Sequence, residues 1–111
     1  MKKYIKDVVI NDIFFAIDND NLIHELIVIN IVPNIYDNKY SITLKNDKDK
    51  IYIHTIVDDN ISCFYREIVN QTESGLIYKH YKIFINKQDA YHTIINMKHN
   101  LYKSIQQIHN M

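Results

Sequence analysis

Tyr81-Lys82-Ile83-Phe84-Ile85-Asn86-Lys87-Gln88-Asp89-Ala90-Tyr91 is the stretch at which the chain changes period. Upstream of it, apolar residues alternate or run together as they do in strands. Downstream, Ile94, Met97, Leu101, Ile105 and Ile108 recur every three or four residues, which makes one stripe of a helix. Asn86 can accept a hydrogen bond from a free amide of the first helical turn, and Asp89 can reach back to complete a capping box at the positive end of the helix dipole. Ile85 and Ala90 occupy the two positions of a hydrophobic staple. The junction predicts strands over 1–85 and a helix over 87–109, about 34 Å long at about 1.5 Å per residue. A compact domain of this size has a radius of gyration of about 13 Å, so the last turns of the helix are expected to overhang the strands.

Composition bounds the rest. With 111 residues, 47% of them hydrophobic, the chain suits a single domain with one core. Ile, Val, nine Tyr and four Phe outweigh Ala and Leu, a strand-leaning mixture. Thirteen basic residues balance thirteen acidic ones, so net charge argues neither for a nucleic-acid surface nor for a polyanion mimic. Cys63 is the only cysteine, which excludes an intramolecular disulfide and suits a reducing cytoplasm. The apolar run after Met1-Lys2-Lys3-Tyr4-Ile5-Lys6-Asp7 is broken at Asn11 and Asp12, too early for a signal-peptide core or a membrane span. The excess of Ile, Asn, Lys, Tyr and Asp is what an AT-rich coding sequence produces, and it supplies many Asn and Lys that need no functional explanation.

Upstream of the junction, Ile13 to Ile17 reads as a first strand, and the turn cluster Asp18-Asn19-Asp20-Asn21 makes a hairpin with a second. That second strand, Leu22 to about Val32, is long and its apolar residues switch parity, which predicts a bulge or bend near Leu26 to Asn30. Pro33 lacks the donor a central strand needs and is expected to end it, with 34–38 as a loop. Tyr40, Ile42 and Leu44 alternate with Ser41, Thr43 and Lys45 in a third strand. Ile51, Ile53 and Thr55 alternate with Tyr52, His54 and Ile56 in a fourth. Ile61, Phe64, Tyr65 and Ile68 fit a helical turn as well as a short strand, so 61–69 stays open. Asn70 to Gly75 reads as a polar loop, with the only glycine where a positive φ is wanted. Leu76 to Ile85 is the last strand.

This order resembles that of small barrel proteins common in phages and mobile elements. The shared features are Asn11-Asp12 before Ile13-Phe14-Phe15-Ala16-Ile17, then Leu22-Ile23-His24-Glu25, then Lys82-Ile83-Phe84-Ile85-Asn86-Lys87-Gln88-Asp89-Ala90. Asn11 stands where such proteins carry Gly, and Asn tolerates positive φ. Asn86 stands where they carry a capping Thr. The resemblance covers roughly residues 8 to 95. It implies an α+β fold: a small antiparallel five-stranded SH3-like, Tudor-like barrel with a long C-terminal helix appended. No active site travels with the pattern.

The residues themselves assemble no catalytic motif. His92 and His99 are seven apart on the predicted helix, about 10.5 Å at about 1.5 Å per residue, too far to share one ion. His24, His54, His80 and His109 show no ligand spacing, so no metal or cofactor is expected. Cys63 lacks a cysteine-enzyme context and reads as a small buried hydrophobe. Asp58, Asp59 and Glu67 lack nuclease spacing, and one glycine permits no phosphate loop.

Binding fits better. Tyr is numerous and suits contact surfaces, and Tyr91, Met97, Leu101, Tyr102, Ile105 and Ile108 are the helix positions expected to meet a partner or a second copy of the chain. The functional expectation is a non-enzymatic phage or mobile-element accessory protein. It would act in the cytoplasm of a bacterial host, inhibiting a host protein by occlusion, with a CRISPR nuclease or similar nucleoprotein defence complex as the example. The alternative is a nucleic-acid module using Tyr78, Lys79, His80, Tyr81 and Lys82, where bases interleave with aromatics. In a strand, however, Tyr78, His80 and Lys82 point one way and Lys79, Tyr81 and Ile83 the other.

Overall fold

The computed structural model describes residues 4–109, with side chains described over 4–69 and 73–98. A 3-10 turn at Ile5–Asp7 leads into β1 (Ile13–Ile17), β2 (Ile23–Asn34), β3 (Lys39–Asn46), β4 (Ile51–Asp58), β5 (Cys63–Thr72) and β6 (Gly75–Phe84), and α1 covers Lys87–His109. The strands form one antiparallel sheet in the order β4-β3-β2-β1-β6-β5, curled into a nearly closed barrel. No described helix is long and apolar enough to cross a membrane.

The barrel has six strands, which corrects the five-stranded SH3-like, Tudor-like expectation. The additional strand is β5, the segment whose period was ambiguous. Phe64 and Ile68 are four apart, and four is both one helical turn and an even number, so it satisfies a period of two as well. Pairing decides the matter: Cys63 to Thr72 lies in register against Phe84 to Gly75, and the expected loop shrinks to a turn at Glu73-Ser74 closed by Thr72 opposite Gly75. Gly75 has φ +130°, where a side chain would be strained.

Alternation then sorts the faces. Phe14, Ala16, Leu26, Val28, Ile42, Leu44, Ile51, Ile53, Val57, Tyr81 and Ile83 fill the barrel, with Phe64 and Ile68 packed against them. Ile5 and Val8 join this cluster, so the 3-10 turn plugs the barrel instead of trailing in solvent. The expected bulge is present: the β2–β3 register shifts between Val28 and Asn30, Ile29 is the extra residue, and the inward parity changes from Val28 to Ile31. Pro33 does not end β2, since it pairs with Tyr40. The β1 pairing has already stopped at Ile13 opposite Ile27, so at Pro33 the strand has one neighbour only and a missing donor is tolerated.

Asparagine does what glycine cannot do in a chain with only one. Asn11, Asn21, Asn38 and Asn60 all have positive φ, between 54° and 76°, and each lies in a connection between elements. These four are conformational requirements, so compositional bias is not their full explanation.

The helix starts at Lys87, and the Asn86 carbonyl accepts the Ala90 amide at 3.4 Å. Ile85 packs inside the barrel, whereas Ala90 packs outside it with Ile17 and Phe84. The approach of the helix is therefore fixed by anchorage on both sides of the sheet, with the staple positions divided between two clusters. Phe15, Ile23 and Ile94 complete the outer cluster. The radius of gyration is 16.4 Å, above the ~13 Å of a compact chain of this length.

Candidate functional site

The outer face of the β5–β6 hairpin carries the sequence-selected residues. Register places Tyr65 opposite Lys82, Glu67 opposite His80 and Val69 opposite Tyr78. The diagonal pair Tyr65 and His80 stack, with ring centroids 5.4 Å apart and planes inclined by 18°. His80 Nε2 lies 3.7 Å from Glu67 Oε1, while its Nδ1 is buried without a hydrogen-bond partner. The Lys82 ammonium sits over the Phe84 ring, 5.6 Å from its centroid. One flank of α1 runs beside this face, and Thr93 and Met97 wall a groove of about 410 Å³ with Tyr65, His80 and Lys82; Asp18 and Asn21 close its end.

Of the proposed nucleic-acid residues, Tyr78, His80 and Lys82 share the outer face, as alternation requires. Tyr81 is 2% exposed and belongs to the core, edge-on to the His24 ring. Lys79 pairs with Ile68 on the opposite parity. Of the helix residues, Met97 reaches the groove, whereas Tyr91 lies on the other flank under the Lys87 ammonium, 5.6 Å away. Leu101, Tyr102, Ile105 and Ile108 lie outside the described side chains, as does His99. The structure thus merges part of the two candidate sets into one surface. Tyr65 is the residue sequence reading missed, and finding it required the β5–β6 register.

A second polar cluster ties turns together. Asp18 Oδ1 accepts the amides of Asp20 at 2.9 Å and Leu22 at 3.0 Å, closing the β1–β2 turn. Asp18 Oδ2 meets His24 Nε2 at 2.7 Å, and His24 Nδ1 meets Asp49 Oδ2 at 3.1 Å, so the imidazole joins that turn to the β3–β4 turn. Burial alone would lower the pKa of His24, but the hydrogen bonds and charges of Asp18 and Asp49 outweigh it and raise it. For Asp18, burial pushes upward, and the His24 contact with the two turn amides prevails, so its pKa falls. Tyr81 is raised by burial, with Asp18 and Asp49 adding to the effect. Because both His24 nitrogens are occupied by carboxylates, neither is open to take a proton from a substrate.

The remaining chemistry-bearing residues are dispersed. Cys63 is exposed opposite Phe84, which corrects the expectation of a buried hydrophobe, and among the described residues no histidine hydrogen-bonds to it. His54 is engaged with Thr43 Oγ1 at 2.9 Å on the outside of β4. Glu67 faces His80, and Asp58 lies opposite Lys39, on a different part of the barrel. Among the described residues no three His, Cys, Asp or Glu side chains converge as metal ligands would. Set against known protein families, curated proteins and solved structures, the chain matches none of them.

Proposed function

We propose that the chain is a non-catalytic binding module that docks a protein partner on the outer β5–β6 face and the adjoining flank of α1. One observation carries this reading: Tyr65, Val69, Leu76, Tyr78 and Met97, between 39% and 62% exposed, share that side of the molecule around the Glu67–His80 pair. Aromatic residues and Met around a few polar groups are the composition of an interface centre. Its mode of action is occlusion of a partner surface, with no turnover and no cofactor. The narrower form, inhibition of a host defence protein in a bacterial cytoplasm, rests on the family resemblance and the lone cysteine.

The test is a pull-down from lysate of the cell that encodes the protein, using the wild-type chain and a Tyr65→Ala/Tyr78→Ala variant. Both side chains are exposed, so the variant keeps its fold, checked by its thermal melt. The expected result is one stoichiometric protein, retained after nuclease treatment and lost with the double variant. Recovery of nucleic acid alone, with binding that collapses steeply between low and moderate salt, would replace this reading with the nucleic-acid one.

A further inference from the structure

β4 and β5 follow one another in the chain, joined only by 59–62. Six strands that alternate in direction around the sheet leave its two edges antiparallel to each other. These are the conditions for a hairpin, yet no ladder forms. Among the described residues β4 pairs with β3 alone and β5 with β6 alone. The barrel is closed here by side chains: Val57 and Thr55 from one edge face Phe64 and Arg66 from the other, and the Arg66 guanidinium donates to the Thr55 hydroxyl. Each edge therefore keeps backbone donors and acceptors without a strand to meet them. A slot of about 370 Å³ lies between them.

The slot is chemically unbalanced. Arg66 has a hydroxyl as its partner and no carboxylate among the described residues, and its Nε is buried without an acceptor. Lys39 adds a second cation, against one acid, Asp58. A guanidinium in a half-closed seam is ordinarily paired with a carboxylate, because it offers a planar fork of donors that a hydroxyl cannot saturate. Beside it Ile56, Ile61 and Phe64 supply apolar wall.

We propose that this seam is a strand-accepting site: an extended peptide segment of a protein partner pairs along the open edge of β4 and places an Asp or Glu carboxylate on Arg66. Two independent features point to that occupant, the edges without a ladder and a guanidinium whose partner is a hydroxyl and not a carboxylate. Free backbone groups select an extended chain, and Arg66 selects an acid within it. A phosphate or a small carboxylate would answer only the second. The site shares with the docking face above the class of partner and one residue, Tyr65, which lines both; Arg66 belongs to the seam alone and Tyr78 to the docking face alone, so substitutions there test the two separately.

Selection of random heptapeptides displayed on a carrier provides the probe. Against wild type, enriched peptides are expected to alternate β-branched or aromatic residues with polar ones and to hold Asp or Glu at one fixed position. Synthetic copies should lose at least tenfold in affinity when that acid becomes Asn or Gln, and again when a neighbouring residue becomes Pro. Arg66→Gln should abolish the preference for the acid, while Tyr78→Ala, which lies outside the seam, should leave it intact. In the unmodified protein, which needs no variant to fold, peptide saturation should slow amide exchange across Ile51–Asp58 by at least tenfold and leave β1 unchanged. Failure to enrich any peptide, enrichment without an acid, unaltered β4 exchange, or occupation of the edge by a second copy of the chain would each overturn the proposal.

Discussion

His24 shows how one side chain can couple parts of this molecule that the backbone leaves separate. It stands in β2, but its two nitrogens reach the β1–β2 turn through Asp18 and the β3–β4 turn through Asp49. Its raised pKa means that the folded state favours the protonated ring. The stability so gained is fully present below the unfolded value of about 6.5 and is lost as pH rises through the higher folded value. Asp18 works in the opposite sense: its lowered pKa contributes above the unfolded carboxylate range and is lost on acidification. The cluster therefore contributes most between about pH 4 and 6.5. Thermal melts from pH 4 to 9 should show His24→Gln destabilised by about 2 kcal/mol within that window, the order expected for hydrogen bonds between charged groups, with the gap narrowing toward pH 9 as the ring loses its charge. An equal gap at every pH would mean that packing against Tyr81 is the whole contribution.

Among elements, legibility followed the number of independent signals each segment carried. In β3 and β4 period and polarity agree, and the buried-exposed alternation of Ile51–Asp58 is complete. The bulge at Ile29 was visible as a change of parity, and the helix start at Lys87 as a change of period. Phe64 and Ile68 carried one spacing with two meanings, and only ten paired residues opposite β6 resolve it. For the same reason the candidate face was half legible: His80 and Lys82 could be placed outward from alternation, but the Tyr65–His80 stack and the groove with Met97 depend on register and tertiary packing. The 3-10 turn at Ile5–Asp7 was not legible at all, since a single apolar residue beside Lys6 gives no period. Yet Ile5 is fully buried in the barrel cluster. Ile5→Ala should accordingly cost about 2–4 kcal/mol in denaturant unfolding, as a core truncation does, whereas Lys6→Ala should change stability by no more than about 0.5 kcal/mol.

For the whole molecule, charge and exposed apolar surface act on the same property. The chain carries no net charge at pH 7, with an isoelectric point near 7.0. Exposed apolar and aromatic residues occur on the β2–β3 hairpin at Val32, Ile35 and Tyr36 and on the β5–β6 hairpin at Val69, Leu76 and Tyr78. Long-range repulsion between copies is therefore weakest near pH 7, where exposed apolar patches such as these weigh most in contact between molecules. A monomer that buried its apolar residues well would feel the loss of net charge only slightly. Here the isolated protein should show concentration-dependent association that peaks near pH 7 and declines toward pH 5 and pH 9, measured by light scattering at constant ionic strength. Tyr65→Ala/Tyr78→Ala should lower the peak if the proposed docking face is also the self-associating one, while Ile35→Ser/Tyr36→Ser should lower it if the β2–β3 hairpin is responsible. Association independent of pH across that range would show that net charge does not control it, and would shift attention to the unpaired β4 and β5 edges, whose backbone groups do not titrate.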